Sequence, residues 1–221
     1  DNNGHEYQSI GRLMRDRGLL GDDMLFIHCC TSGDDELAQL RDSGASASVS
    51  AAIESALPGL GAPATGRLMS AGIRPSLSID TEASVAGDMF NVMRAVISSH
   101  GLGVTFQPDL YGALPLPTAA DVLSFATIEG AKASGLGDIT GSITVGKAAD
   151  LILIDLRDAN LVPANDPVAS IVGAGHPGNV TTVLVNGVIV KKDRRLTALD
   201  LDDLTARAEA SRDRLFAISA D

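Results

Sequence analysis

The stretch RPSLSIDTEASVAGDMFNVMRAV, residues 74–96, passes from a short apolar strand through a polar link into a helical pattern, and it places Asp80 where the strand ends. PSLSI (75–79) reads as the strand. Met89, Val92, Met93 and Val96 recur at the spacing of one buried helix face, and Gly101 is positioned to end that helix. A strand followed directly by an amphipathic helix is a βα unit. The fold then depends on whether the unit repeats.

Upstream it does. MLFIH (24–28) reads as a strand buried on both faces, preceded by a helix in which Ile10, Leu13 and Met14 share a face and Gly18 ends it. A helix over 34–43, stopped by Gly44, leads into the strand SASVS (46–50). Pro63 stands near the start of a helix carrying Leu68 and Met69, and Gly72 separates that helix from PSLSI. Downstream, Thr118 and Asp121 form a T-x-x-D capping box opening a helix through Val122, Phe125 and Ala126. Strands alternating with helices argue for an α/β fold with a parallel sheet.

Beyond Gly135 the pattern changes. SITVGKAADLILIDL (142–156) and VTTVLVNGVIVKKDRRL (180–196) are β-rich, and Asn186-Gly187 between two Val-rich runs signals a hairpin. A charged helix over about 200–216 closes the chain.

The formal charge of −11 repels nucleic-acid phosphates and anionic lipid, and the basic run Lys191, Lys192, Arg194, Arg195 reads as a solvated strand end. No apolar run approaches the roughly 20 residues that cross a bilayer. DNNGHEYQ at the start has neither region of a signal peptide, so a cytoplasmic location is expected. Adjacent Cys29 and Cys30 are poorly placed for a mutual disulfide and lack structural-zinc spacing; they read as buried small hydrophobes.

His28 and Asp80 share a position, each the first polar residue after a strand. In a parallel sheet the C-terminal strand ends open onto one face, where active sites sit. A helix N-cap is the structural alternative for Asp80, and a backbone-bonded core histidine for His28. His5, His100 and His176 read as surface or loop residues, and Glu54 as a solvated loop acid that could instead line the same mouth. G-x-x-x-x-G-K-[ST] does not occur, and Gly146-Lys147 reads as a turn leading into a strand, which argues against a phosphate-loop nucleotide-binding protein.

Four stretches in order, FIHCCTSGDDELAQLRDSGASASVS, PATGRLMSAGIRPSLSIDTEASVAGDMFNVMRA, DVLSFATIEGAKASGLGDITGSITVGKAADLILIDL and NVTTVLVNGVIV, resemble the amidohydrolase superfamily, particularly its cytosine-deaminase and chlorohydrolase-like branch. GSITVGKAADLILID is similar to a specific signature of that family, and the likeness spans roughly residues 20–195. The resemblance implies a (β/α)8 barrel with one or two divalent metal ions, zinc foremost, at its mouth and a small β-sandwich beside it. It identifies MLFIH, SASVS and PSLSI with barrel strands six, seven and eight. His28 then matches a histidine that ligates metal or contacts substrate, and Asp80 matches a metal ligand that also shuttles the proton. Such an ion acidifies its water toward neutrality, a carboxylate moves the proton to the leaving amine, and a histidine opposite stabilises the developing charge.

The sequence also departs from that family. No H-x-H pair occurs, and the strand-five histidine of relatives would fall before Asp1, with His5 a poor substitute. The expectation is therefore a C-terminal portion of a longer enzyme: a partial barrel over 1–134, a β-sandwich segment over 135–196 and a C-terminal helix over 197–221. In its complete form it is expected to hydrolyse or deaminate C–N bonds of a small cyclic amide, amidine or aminated heterocycle. Alone it is expected to be inactive and to associate with the missing N-terminal half or with its own copy. A non-catalytic barrel remnant serving as an assembly or binding module is the second reading.

Overall fold

The computed structural model describes residues 10–218. Helix α1 (Ile10–Asp16) ends before Gly18, whose φ of 67° is the left-handed conformation that favours glycine. Strand β1 (Leu25–Ile27), helix α2 (Asp34–Ser43), strand β2 (Ser46–Val49), short helices α3 (Ala51–Ala56) and α4 (Thr65–Ser70), and strand β3 (Ser76–Leu77) follow. Three acids, Asp34, Asp35 and Glu36, occupy the first turn of α2, where the helix dipole favours negative charge. Gly44, with φ 80°, stops α2 as the sequence predicts.

The strands form a parallel sheet in the order β1-β2-β3. Register pairs Phe26 with Ala47 and Val49 with Leu77, and these side chains pack into the core under the helices. The alternate positions, Leu25 and Ile27 on β1 with Ser46, Ser48 and Ser76 beside them, fall on the opposite face. Leu25 and Ile27 are 41% and 49% exposed, so β1 is not buried on both faces as its apolar run suggested. The reason is physical: on the same face Ser48 of β2 and Ser76 of β3 are buried, whereas β1 is the outer strand of the sheet and, among the described residues, has no strand beyond it.

Helix α5 (Met89–Phe106) buries Val92, Met93 and Val96 as the spacing predicts. It runs through Gly101, which is a correction. Glycine within a helix is disfavoured by only about 1 kcal/mol, and tertiary contact outweighs that here. A Cβ at Gly103 would lie 2.6 Å from the Tyr111 ring, so the next turn of α5 supports helix α6 (Pro108–Tyr111) at a distance only glycine allows. Helix α7 (Ala119–Phe125) opens with the expected capping box: the Asp121 N–H donates to Thr118 Oγ1 and the Thr118 N–H to Asp121 Oδ2, each at 3.1 Å. Helix α8 (Ile128–Ala133) follows.

The remainder builds an antiparallel sheet, β4 (Leu151–Ile154), β5 (Val180–Val185), β6 (Val188–Lys192) and β7 (Arg195–Leu196), in that order, with helix α9 (Pro167–Ala174) between β4 and β5. Asn186 and Gly187 take φ of 48° and 79°, the pair of left-handed residues that a tight hairpin needs. Strand β4 begins only at Leu151. Ile143 and Val145, expected in a β-rich run, stand exposed in a turn that the Lys147 N–H closes onto Thr144 O. Helix α10 (Leu201–Ile218) is exposed along its length.

One core serves both sheets. Leu37, Leu40, Val49, Leu68, Val92, Val96, Val122 and Phe125 are fully or almost fully buried, and Val172 on α9 and Val180 on β5 join the same cluster. Burial of each such side chain contributes about 1.5–3 kcal/mol before chain entropy is subtracted. Among the described residues, no helix is long and apolar enough to cross a membrane.

Candidate metal and proton-transfer site

Because β1, β2 and β3 are parallel, their C-terminal ends face one way, and the chain leaves each end carrying a polar residue toward the same place. The His28 N–H still donates to Ser48 O (2.8 Å), which ties it to β2. Its φ is 69°, that of Cys29 is 54° and that of Asp80 is 69°. Left-handed backbone in non-glycine residues is uncommon, though Asp and His tolerate it best, and it clusters at functional sites. Both candidate residues therefore turn sharply off their strands into the open end of the sheet.

The turns bring them together. His28 Nε2 lies 3.4 Å from Asp80 Oδ2, and His28 Nδ1 lies 3.0 Å from Glu54 Oε1. Glu54 projects from α3, just after β2, and its side chain is fully buried, whereas those of His28 and Asp80 are 27% and 35% exposed. Its Oε1 also accepts the Ser50 N–H at 2.8 Å. Its Oε2 is buried without a hydrogen-bond partner among the described residues, a loss of about 1–3 kcal/mol for an unsatisfied polar atom. Burial pushes the Glu54 carboxyl above the usual glutamate range, partly opposed by the bonds from Ser50 and His28. Ser50 and Ser78, at the ends of β2 and β3, share a hydroxyl hydrogen bond of 2.6 Å beside the cluster.

Asp80 caps no helix. Helix α5 starts nine residues on, at Met89, and its N-cap is Asp88, whose Oδ1 accepts the Asn91 N–H at 2.8 Å. Glu54 is not a solvated loop acid: it is the buried acid of the group. The sequence signal for it was its place, early in the helix following a strand, which parallels the positions of His28 and Asp80 on their own strands. His100 is also corrected. It is buried within α5, edge-on to Tyr111, and burial pushes its pKa down. His176 is a loop residue, accepting the Gly178 N–H on Nδ1, and His5 lies outside the described residues.

The two cysteines are free and buried, with thiols pushed up by burial to about 11 for Cys29 and about 12 for Cys30. They are protonated at neutral pH and poor ligands, as expected of small core residues. Arg67, on α4, donates to Cys30 O (3.2 Å) and to Ser32 O, pinning the loop that follows His28.

An imidazole nitrogen and a carboxylate oxygen are a donor set suited to zinc. Bonds of about 2.0–2.1 Å at the tetrahedral angle place two ligand atoms roughly 3.3 Å apart. The observed 3.4 Å agrees with that spacing and exceeds the usual N–H···O range. The pair is part of a set only, since no group of three or more His, Cys, Asp or Glu placed to hold a metal occurs among the described residues.

Residues 2–190 match the amidohydrolase family. The chain belongs to that family. As an amidohydrolase it is 33% identical over 184 residues to a 5-methylthioadenosine/S-adenosylhomocysteine deaminase of Acetivibrio thermocellus, covering 83% of this chain and 41% of the relative. It is 33% identical over 204 residues to a 5'-deoxyadenosine deaminase of Methanosarcina barkeri, covering 92% of this chain and 45% of that protein. Among solved structures it superposes on an adenosine deaminase of Xanthomonas campestris with bound zinc at a TM-score of 0.83 and 28% identity, covering 93% of this chain and 46% of the other. The amidohydrolase chain thus spans less than half the length of these relatives.

Proposed function

We propose that this chain supplies the proton-transfer half of a zinc-dependent amidohydrolase site, which in the complete protein deaminates an aminated heterocycle, with adenosine-type nucleosides as the favoured class. The approach of His28 Nε2 to Asp80 Oδ2 at the ends of two parallel strands carries this reading. The substrate class rests on the deaminases to which the chain is similar.

In this reading β1, β2 and β3 are strands six to eight of a (β/α)8 barrel, and the β4–β7 sheet is one layer of a β-sandwich. The exposed Leu25 and Ile27 support it, because they lie on the sheet face that the rest of a barrel would enclose. The remaining ligands come from an N-terminal half, which also covers that face. His28 and Asp80 hold the ion, and zinc when bound supplies Lewis acidity and a water acidified toward neutrality. Asp80 accepts the proton of the attacking water on a carboxylate oxygen and returns it to the departing amine. His28 would offer Nε2 to the ion from between the two carboxylates, fixing where the ion and its water stand beside Asp80.

The absence of a three-ligand group among the described residues favours a second reading, in which this chain is a barrel remnant that serves in assembly. Metal analysis separates the two. The protein extended to the length of its relatives is expected to carry zinc and to lose it on Asp80→Asn. Unchanged occupancy and activity in that variant would reject the assigned role.

A further inference from the structure

Glu54 has no part in the proton transfer just described, yet it is the most buried member of the group, and its geometry says what it does. Its Oε1 faces two nitrogens, the Ser50 N–H at 2.8 Å and His28 Nδ1 at 3.0 Å. The backbone N–H has only one form and must donate, and with Glu54 ionised Oε1 has only lone pairs to offer the imidazole as well. A neutral imidazole has a single N–H, so the two carboxylates flanking the ring compete for it. Glu54 offers the shorter contact, 3.0 Å against 3.4 Å, and does so from a fully buried side chain, where a hydrogen bond is stronger than at the partly exposed Asp80.

We infer that Glu54 is a positioning residue that locks His28 in the Nδ1–H tautomer and points the Nε2 lone pair at the space beside Asp80. A bare nitrogen and a carboxylate oxygen facing each other repel unless positive charge stands between them. Glu54 thereby prepares the pair for a cation rather than for a direct hydrogen bond. Carboxylates behind metal-binding histidines act in this way generally, fixing ring orientation and raising ligand basicity. The role in metal binding rests on the reading given above; the tautomer does not.

Histidine-selective 15N NMR of this chain, recorded above the ordinary histidine titration range, reads the tautomer directly. The wild-type ring is expected to show a protonated, pyrrole-type Nδ1. Glu54→Leu removes the acceptor and is expected to move the proton to Nε2, where Asp80 accepts it. Glu54→Gln retains an amide oxygen and is expected to keep the wild-type tautomer. In the protein extended to the length of its relatives, Glu54→Leu is expected to weaken zinc binding about 10–100-fold in competition with a chelator, with Glu54→Gln closer to wild type. A wild-type ring protonated on Nε2 overturns the proposal without need of any variant, and so does an unchanged tautomer in Glu54→Leu. Zinc content that ignores Asp80→Asn would instead overturn the metal reading, while the ring spectra still decide what Glu54 holds.

Discussion

His28 Nε2 and Asp80 Oδ2 stand 3.4 Å apart although they leave different strands, and each reaches that position through left-handed backbone, with φ of 69° at both residues. The contact is tertiary. It depends on parallel strands ending together and on two sharp turns.

Asp80→Asn leaves a neutral amide that neither holds zinc as the carboxylate does nor takes up a proton at neutral pH. In the complete protein the turnover number is expected to fall about 10²–10⁴-fold, the usual contribution of a positioned acid or base. Steady-state deamination of an aminated purine nucleoside measures it, and an unaltered rate would rule out the proton role.

Asp80→Gly is expected to stabilise the chain while removing the site. Left-handed backbone costs a side-chain-bearing residue roughly 1–2 kcal/mol, less for Asp, whereas glycine adopts it freely. Urea denaturation should give a gain of about 1 kcal/mol, reduced by whatever the His28 contact contributes; a clear loss would show that the turn stores no strain.

Asp121 ties α7 to β3's flank, since it caps the helix at Thr118 and receives Arg74 Nη1 at 2.9 Å. The Thr118 hydroxyl, then Arg74, hold its carboxyl below the usual aspartate range. A depressed folded-state value means stability present above the unfolded value and lost as pH falls through the folded one. Asp121→Ala should therefore cost about 1 kcal/mol at neutral pH, and its deficit against wild type should vanish in acid. Thermal melts across that range test the sign.

Leu68 on α4 is completely buried, in the same core cluster as Ala47, Val49 and Leu77 of the strands that present the site. Leu68→Ala is expected to cost about 2–5 kcal/mol, the range for leucine deletions in close-packed cores. A smaller loss by calorimetry would mean that the core collapses into the space.

Most elements were legible in the chain. Helix α2 starts at Asp34 and stops before Gly44 because acids favour the positive helix end and only glycine ends a helix cheaply in left-handed backbone. The Thr118–Asp121 box and the Asn186-Gly187 turn were readable for the same reason: each is a local bond or a local φ requirement. Gly101 misled because glycine permits a stop without imposing one, and α5 continues to meet Tyr111. Exposure of Leu25 and Ile27 was not readable, since an apolar run records what a strand can bury and not what lies across from it.

The same division runs through the site. Sequence alone determined that His28 and Asp80 follow strands, and the four quoted stretches were enough to place the chain among the amidohydrolases, because strand period and motif spacing are properties of neighbouring residues. Only the tertiary structure decided that Asp80 meets the His28 ring and that Glu54 is buried against it. Those facts depend on distances between segments far apart in the chain, and such distances are set by how the sheet and helices pack together.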